Sequence, residues 1–100
     1  DEDWNSFKKS FSDIYPAFFS KLRYICPTIT TSELRLCSLI KLKLSIKEMA
    51  SMLGISPESV KTSRYRLKKK LDLGENETIE EFIEKLGVFH KEEIKHLAAS

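Results

Sequence analysis
The residues from Ser45 to Leu71, SIKEMASMLGISPESVKTSRYRLKKKL, restrict the fold more than any other stretch of the chain. Ser45-Ile46-Lys47-Glu48 has the spacing of a capping box. The Ser45 hydroxyl accepts from the Glu48 amide, and the Glu48 carboxylate reaches back to the Ser45 amide. Gly54 follows Leu53 and suits a left-handed helix stop. Ser56 then caps a second helix, with Pro57 at its first position, where the missing N–H costs nothing. Gly54, Ile55 and Ser56 alone separate the two helices, the turn length of a helix-turn-helix. Cap, stop and second cap in register carry more weight than any one of them.

The second helix, expected over 57-71, divides into faces. At about 100° per residue, Val60, Leu67 and Leu71 fall on one line, with Ser63 and Arg64 at its edges. Thr62, Tyr65 and Lys69 point the other way, flanked by Glu58, Lys61, Arg66 and Lys68. The apolar line has to bury against other helices, which leaves the opposite one free to meet a partner. From Lys61 to Lys70 there are six Lys or Arg and no carboxylate. A soluble face usually mixes both signs, so a polyanion explains this bias better.

Residues 31 to 71, TSELRLCSLIKLKLSIKEMASMLGISPESVKTSRYRLKKKL, resemble the LuxR-type helix-turn-helix of bacterial transcription regulators. The resemblance rests on Thr31-Ser32-Glu33, Ser45-x-Lys47-Glu48-Met49-Ala50, Leu53-Gly54-Ile55-Ser56, Ser59-Val60-Lys61 and Lys70-Leu71. The RYRLKKKL ending is similar to a subgroup at the C-terminus of larger sensory regulators. Lys43 stands where a Gly is common, Ile46 where Asn is common and Ser63 where His is common. Arg64 replaces a usually apolar residue. Sigma-factor region 4 shares the motif. The resemblance implies an all-α helix-turn-helix bundle of three or four helices, here with extra N-terminal helices. It implies sequence-specific binding to double-stranded DNA by the output domain of a bacterial transcriptional regulator in signal transduction. A homodimer on DNA and RNA polymerase are further candidate partners.

One hundred residues suit a single small core. The formal charge of +2 is close to neutral, so the cationic bias is local. Cys26 and Cys37 have no Cys-x-x-Cys partner and read as reduced core thiols. No run approaches the roughly 18 apolar residues of a membrane span, and no signal peptide is evident. The segment therefore reads as cytoplasmic, without membrane contact, whatever anchors the parent. A start at Asp1 reads as an excerpt from a longer protein. No Gly-rich phosphate loop, Cys–His pair at helical spacing or paired carboxylates in a predicted cleft are present, so neither an enzyme nor a cofactor is expected.

In chain order, three segments are expected: a helical extension or linker over 1-27, the helix-turn-helix domain over 28-87 and a tail over 88-100. Trp4, Phe11, Phe18 and Ile25 repeat every seven residues, with Phe7, Ile14, Tyr15 and Leu22 between them. Pro16 breaks the run, giving helices over about 3-14 and 16-26. They either pack on the helix-turn-helix as core or continue from an upstream module as a linker or dimer helix. Thr30 to Glu33 is a further capping box, opening a helix to about Leu42 with Leu34, Leu36, Cys37 and Ile40 inward. Ile46, Met49, Ala50 and Leu53 give the next helix its inner side.

Thr78-x-x-Glu81 caps a last helix with a stripe of Ile79, Phe82, Ile83 and Leu86 and a stop at Gly87. Its Glu80, Glu81 and Glu84, with Glu75 and Glu77 before it, should keep it away from DNA. The resemblance implies that this helix mediates dimers, but its acidity and length depart from the pattern. Beyond it, Ile94 and Leu97 either form another short helix or fray. His90 and His96 do not share a face, so no metal pair is expected.

For the interface, Ser59, Thr62, Tyr65 and Arg66 are the candidates for base edges and groove walls. Lys61, Lys68 and Lys69, with Ser45 and Lys47 at the first cap, are the candidates for phosphates. Lys61 occupies the Val-Lys position of the resemblance. Arg64, near the apolar seam, is expected to pair with Glu33 or Glu48, and Lys70 to lie in solvent. The alternative reading is a helical protein-interaction module whose basic helix meets an acidic partner.

Overall fold
The computed structural model describes residues 2–86. These form six helices and no strand: α1 (Glu2–Ile14), α2 (Phe18–Ile25), α3 (Thr31–Lys41), α4 (Ile46–Leu53), α5 (Pro57–Lys70) and α6 (Ile79–Leu86). The chain is an all-α bundle, as its helical periodicities require. The expectations for Gly87, His90, Ile94, His96 and Leu97 lie outside the described residues.

The caps form where the sequence puts them. Thr30 and Glu33 close a reciprocal capping box on α3, and Ser45 and Glu48 do the same on α4. The Ser56 hydroxyl accepts from the Ser59 amide to open α5, with Pro57 in the first turn. Gly54 takes φ 69° and stops α4. The Thr78 hydroxyl accepts from the Glu81 amide at the start of α6.

Lys43 explains why a glycine suits its position. It has φ 62°, and its amide donates to the Ile40 carbonyl while the Leu44 amide donates to Leu39. That is a Schellman stop on α3, with a side chain in the left-handed region. A Cβ there costs about 1–2 kcal/mol, partly offset by the lower chain entropy of a non-glycine residue. Lys43→Gly should therefore raise stability by about 0.5–1 kcal/mol in urea unfolding. An unchanged or lower midpoint would show that the Lys43 side chain makes up the difference.

The core is continuous from α1 to α6. Phe11, Phe18, Phe19 and Leu22 bury in the same cluster as Leu34, Leu36, Cys37, Met49, Val60, Leu67, Ile79, Ile83 and Leu86. The two N-terminal helices thus contribute core. Phe11 organises them, with ring centroids 5.1 Å from Phe18, 5.3 Å from Phe19 and 4.9 Å from Tyr15. Trp4 is tied to α3 as well, since the Arg35 guanidinium lies 4.8 Å from its ring centroid.

Three details differ from the sequence expectation. Pro16 lies in a turn, and α2 begins at Phe18 rather than at residue 16. Ile14 is 68% exposed, because Tyr15 takes the place beside Phe11 at the helix end. α3 buries more than one face: Leu39 and Ser38 are also covered. α3 is the central helix, with α5 and α6 packed on it and Trp4 of α1 against its Arg35. The Ser38 hydroxyl donates to the Arg35 carbonyl at 2.6 Å, so its burial leaves no bare polar group.

Cys26 and Cys37 are free buried thiols. Burial pushes the Cys37 thiol up to about 12, with Glu33 and Cys26 adding to the shift, so it stays protonated and unreactive at neutral pH.

Candidate nucleic-acid interface
α5 sits with one side in the core and the other in solvent. Val60 and Leu67 are 0% exposed, whereas Tyr65 is 59% exposed. Leu71 is partly buried against the core. Thr62 and Lys69 lie open beside Tyr65. α4 packs on α5 through the turn at Gly54 to Ser56 and supports it from behind. Ala50 and Met49 are the buried residues of α4, and the small Ala50 allows a close approach.

Tyr65 and Lys69 form one unit on the open side. The Lys69 ammonium lies 4.8 Å from the centre of the Tyr65 ring. A hydrogen bond with Tyr65 raises the Lys69 pKa above the ordinary lysine value. The Thr62 hydroxyl donates to the Glu58 carbonyl at 3.1 Å. That leaves Thr62 its acceptor lone pairs and its methyl group to offer a partner.

The cationic run is less uniform than the sequence implied. Lys61 donates to Glu58 at 3.3 Å within the same helix. Arg64 pairs with Glu80 of α6, and not with Glu33 or Glu48 as expected. Glu48 is occupied in its own capping box. Burial lowers the Arg64 pKa. Lys70 is not a free surface cation either. Its ammonium donates to the Thr28 carbonyl and to the Glu33 carboxylate, both at 2.8 Å. For Glu33, burial raises the carboxyl, but hydrogen bonds from Lys70 and Thr30 outweigh it and hold it below its ordinary value. Among the described residues, Arg66, Lys68 and Lys69 remain without a carboxylate partner.

These ties fix how α5 is set. Lys70 clips its C-terminal end to the start of α3, and Arg64 clips its flank to α6. Glu80 is spent on Arg64, so the acidic α6 touches the flank of α5 and leaves its outer line bare. Ser45 and Lys47 are exposed at the first turn of α4, with the Ser45 hydroxyl accepting from Glu48 and its own O–H free to donate. Ser59 is exposed at the first turn of α5, where its hydroxyl accepts from Ser56.

Arg35 is the residue that the sequence did not single out. It lies on α3, between Trp4 and a groove that it shares with Arg66 and Ser63 of α5. Nothing local in the sequence links residues so far apart. No helix among the described residues is long and apolar enough to cross a membrane. No group of His, Cys, Asp and Glu among them is set to hold a metal ion. Comparisons with known protein families, curated proteins and solved structures find no match.

Proposed function
We propose that this chain binds double-stranded DNA in a sequence-specific manner, as the output domain of a bacterial transcription regulator of the LuxR type. α5 lies in the major groove, with Tyr65 and Thr62 toward base edges. Lys61, Lys68 and Lys69 meet phosphates, joined by Ser45 and Lys47 from the first turn of α4. The observation that carries this reading is the split of α5: Val60 and Leu67 lie in the core, while Tyr65 stands 59% exposed among lysines. A helix of this diameter fits the roughly 12 Å major groove. Thr62, Tyr65 and Lys69, on the side away from the core, are all exposed.

A duplex titration at increasing salt tests the reading. Neutralising about five phosphates predicts a log–log slope of roughly −4 to −5. Lys61→Ala should weaken binding about equally for every sequence and make that slope shallower by about 0.9. A shallow slope, with the basic helix binding an acidic protein instead, favours the interaction-module reading. Sequence-selective loss in Lys61→Ala would move Lys61 from the phosphates to the bases.

A further inference from the structure
Resting on the DNA reading, we propose that Glu58 is a specificity residue. Its carboxylate accepts from the N4 amine of a cytosine in the major groove and rejects guanine and thymine at that position. Glu58 is the acidic residue in the first turn of α5, and its side chain is 83% exposed.

At about 100° per residue, Glu58, Thr62, Tyr65 and Lys69 lie within about 60° of one another around α5, opposite Val60 and Leu67. All four are exposed, while Val60 and Leu67 are fully buried. Placing Thr62 and Tyr65 in the groove therefore places Glu58 there too, at the N-terminal end of the same line. Glu58 is the one carboxylate of α5. Aimed at phosphates it would oppose binding, so on this line it suits DNA only where it meets a hydrogen-bond donor.

The base edges of the major groove offer such donors on cytosine N4 and adenine N6. Adenine sets its N7 acceptor beside that amine, where it opposes the second carboxylate oxygen, whereas cytosine sets a C–H there. Guanine N7 and O6 and thymine O4 are acceptors and repel an acceptor-only side chain. Cytosine is therefore the base that Glu58 fits. Its carboxylate also accepts from the Lys61 ammonium at 3.3 Å, and both partners are more than half exposed. A pair so open to water is weak enough for a base to compete with it. The Thr62 hydroxyl donates to the Glu58 carbonyl, so one turn further on Thr62 adds another acceptor. The first two turns of α5 thus present acceptors, and its last turn presents cations. Glu58 and Thr62 are about 6 Å apart along the axis. At roughly 3.4 Å per base pair, the pairs they read are neighbours or one apart.

The experiment selects sites from randomised duplexes with the whole chain, as the parent, Thr62→Ala, Glu58→Gln, Glu58→Ala and Glu75→Gln. Glu75 is exposed in the turn before α6, so its variant removes the same charge outside α5. The parent should enrich cytosine next to, or one base pair beyond, the position that Thr62→Ala disturbs. Glu58→Gln should exchange that cytosine for adenine, because a side-chain amide pairs with N6 and N7 together. Glu58→Ala should leave the position without preference. For Glu58→Ala, discrimination between the parent's site and the same site lacking that cytosine should fall roughly tenfold. Its affinity for the altered site should rise, since a charge that repels phosphates is gone. Glu75→Gln should match the parent. An acid in a helix first turn also favours the helix dipole, a role that shifts the melting temperature but not one position of a selected site. If the parent enriches a site and both Glu58 variants return it unchanged, the Glu58 assignment is wrong and the DNA reading stands. The same holds if the position they change carries a base other than cytosine. A parent that enriches no site overturns both.

Discussion

Leu67→Ala is expected to destabilise the fold by about 2–5 kcal/mol, the largest loss expected from a truncation to alanine in α5. Leu67 is fully buried, in one core cluster with Met49 of α4 and Ile83 of α6. Truncation removes apolar contacts on several helices at once and leaves a cavity that packed neighbours fill only in part. Tyr65, two residues earlier, should behave differently. Its ring is mostly in solvent, beside the Lys69 ammonium, so Tyr65→Ala should change stability by no more than about 0.5 kcal/mol. Urea unfolding of both variants gives the comparison. A loss below about 1 kcal/mol for Leu67→Ala would mean that α5 is not anchored as described.

That contrast also marks what the sequence made legible. Helix ends were readable because their chemistry is local. Thr30 with Glu33, Ser45 with Glu48, and Ser56 with Ser59 each satisfy amides within one turn. The two sides of α5 were readable because helical periodicity alone separates Val60 and Leu67 from Tyr65 and Lys69. Contacts between distant residues were not. Lys70 meets Glu33 and Thr28 only because α5 returns to the start of α3. Arg64 finds Glu80 only because α6 packs against α3 beside it. Ser38 and Leu39 lie off the line of Leu34, Cys37 and Ile40, and they bury because neighbours cover α3 on more than one side. Ile14 and Tyr15 competed for one place beside Phe11, and periodicity does not decide between adjacent residues at a helix end. The candidate interface was therefore legible as a face, while its charge balance and the position of Arg35 beside Trp4 depended on tertiary packing.

The second large effect concerns sequence preference. Tyr65→Ala and Thr62→Ala leave the core untouched, since both side chains lie on the open side of α5. Each lost base contact should cost about 1–3 kcal/mol on the preferred site and much less on other sequences. The Thr62 hydroxyl donates to the Glu58 carbonyl, so the base contact proposed for it would use its methyl group or its oxygen as an acceptor. A thymine methyl or an exocyclic amine of adenine or cytosine is the matching group. The Lys69 ammonium lies 4.8 Å from the Tyr65 ring centre, so removal of the ring also takes away that contact of the cation.

Selection from randomised duplexes, run on the parent chain and on Tyr65→Ala, addresses the orientation of α5 most directly. The parent should enrich a defined site, and the variant should lose or change preference at one or two adjacent positions while retaining most phosphate-driven affinity. Identical enriched sites from both proteins, or no enrichment by the parent, would contradict the placement of the Tyr65 side of α5 in the major groove.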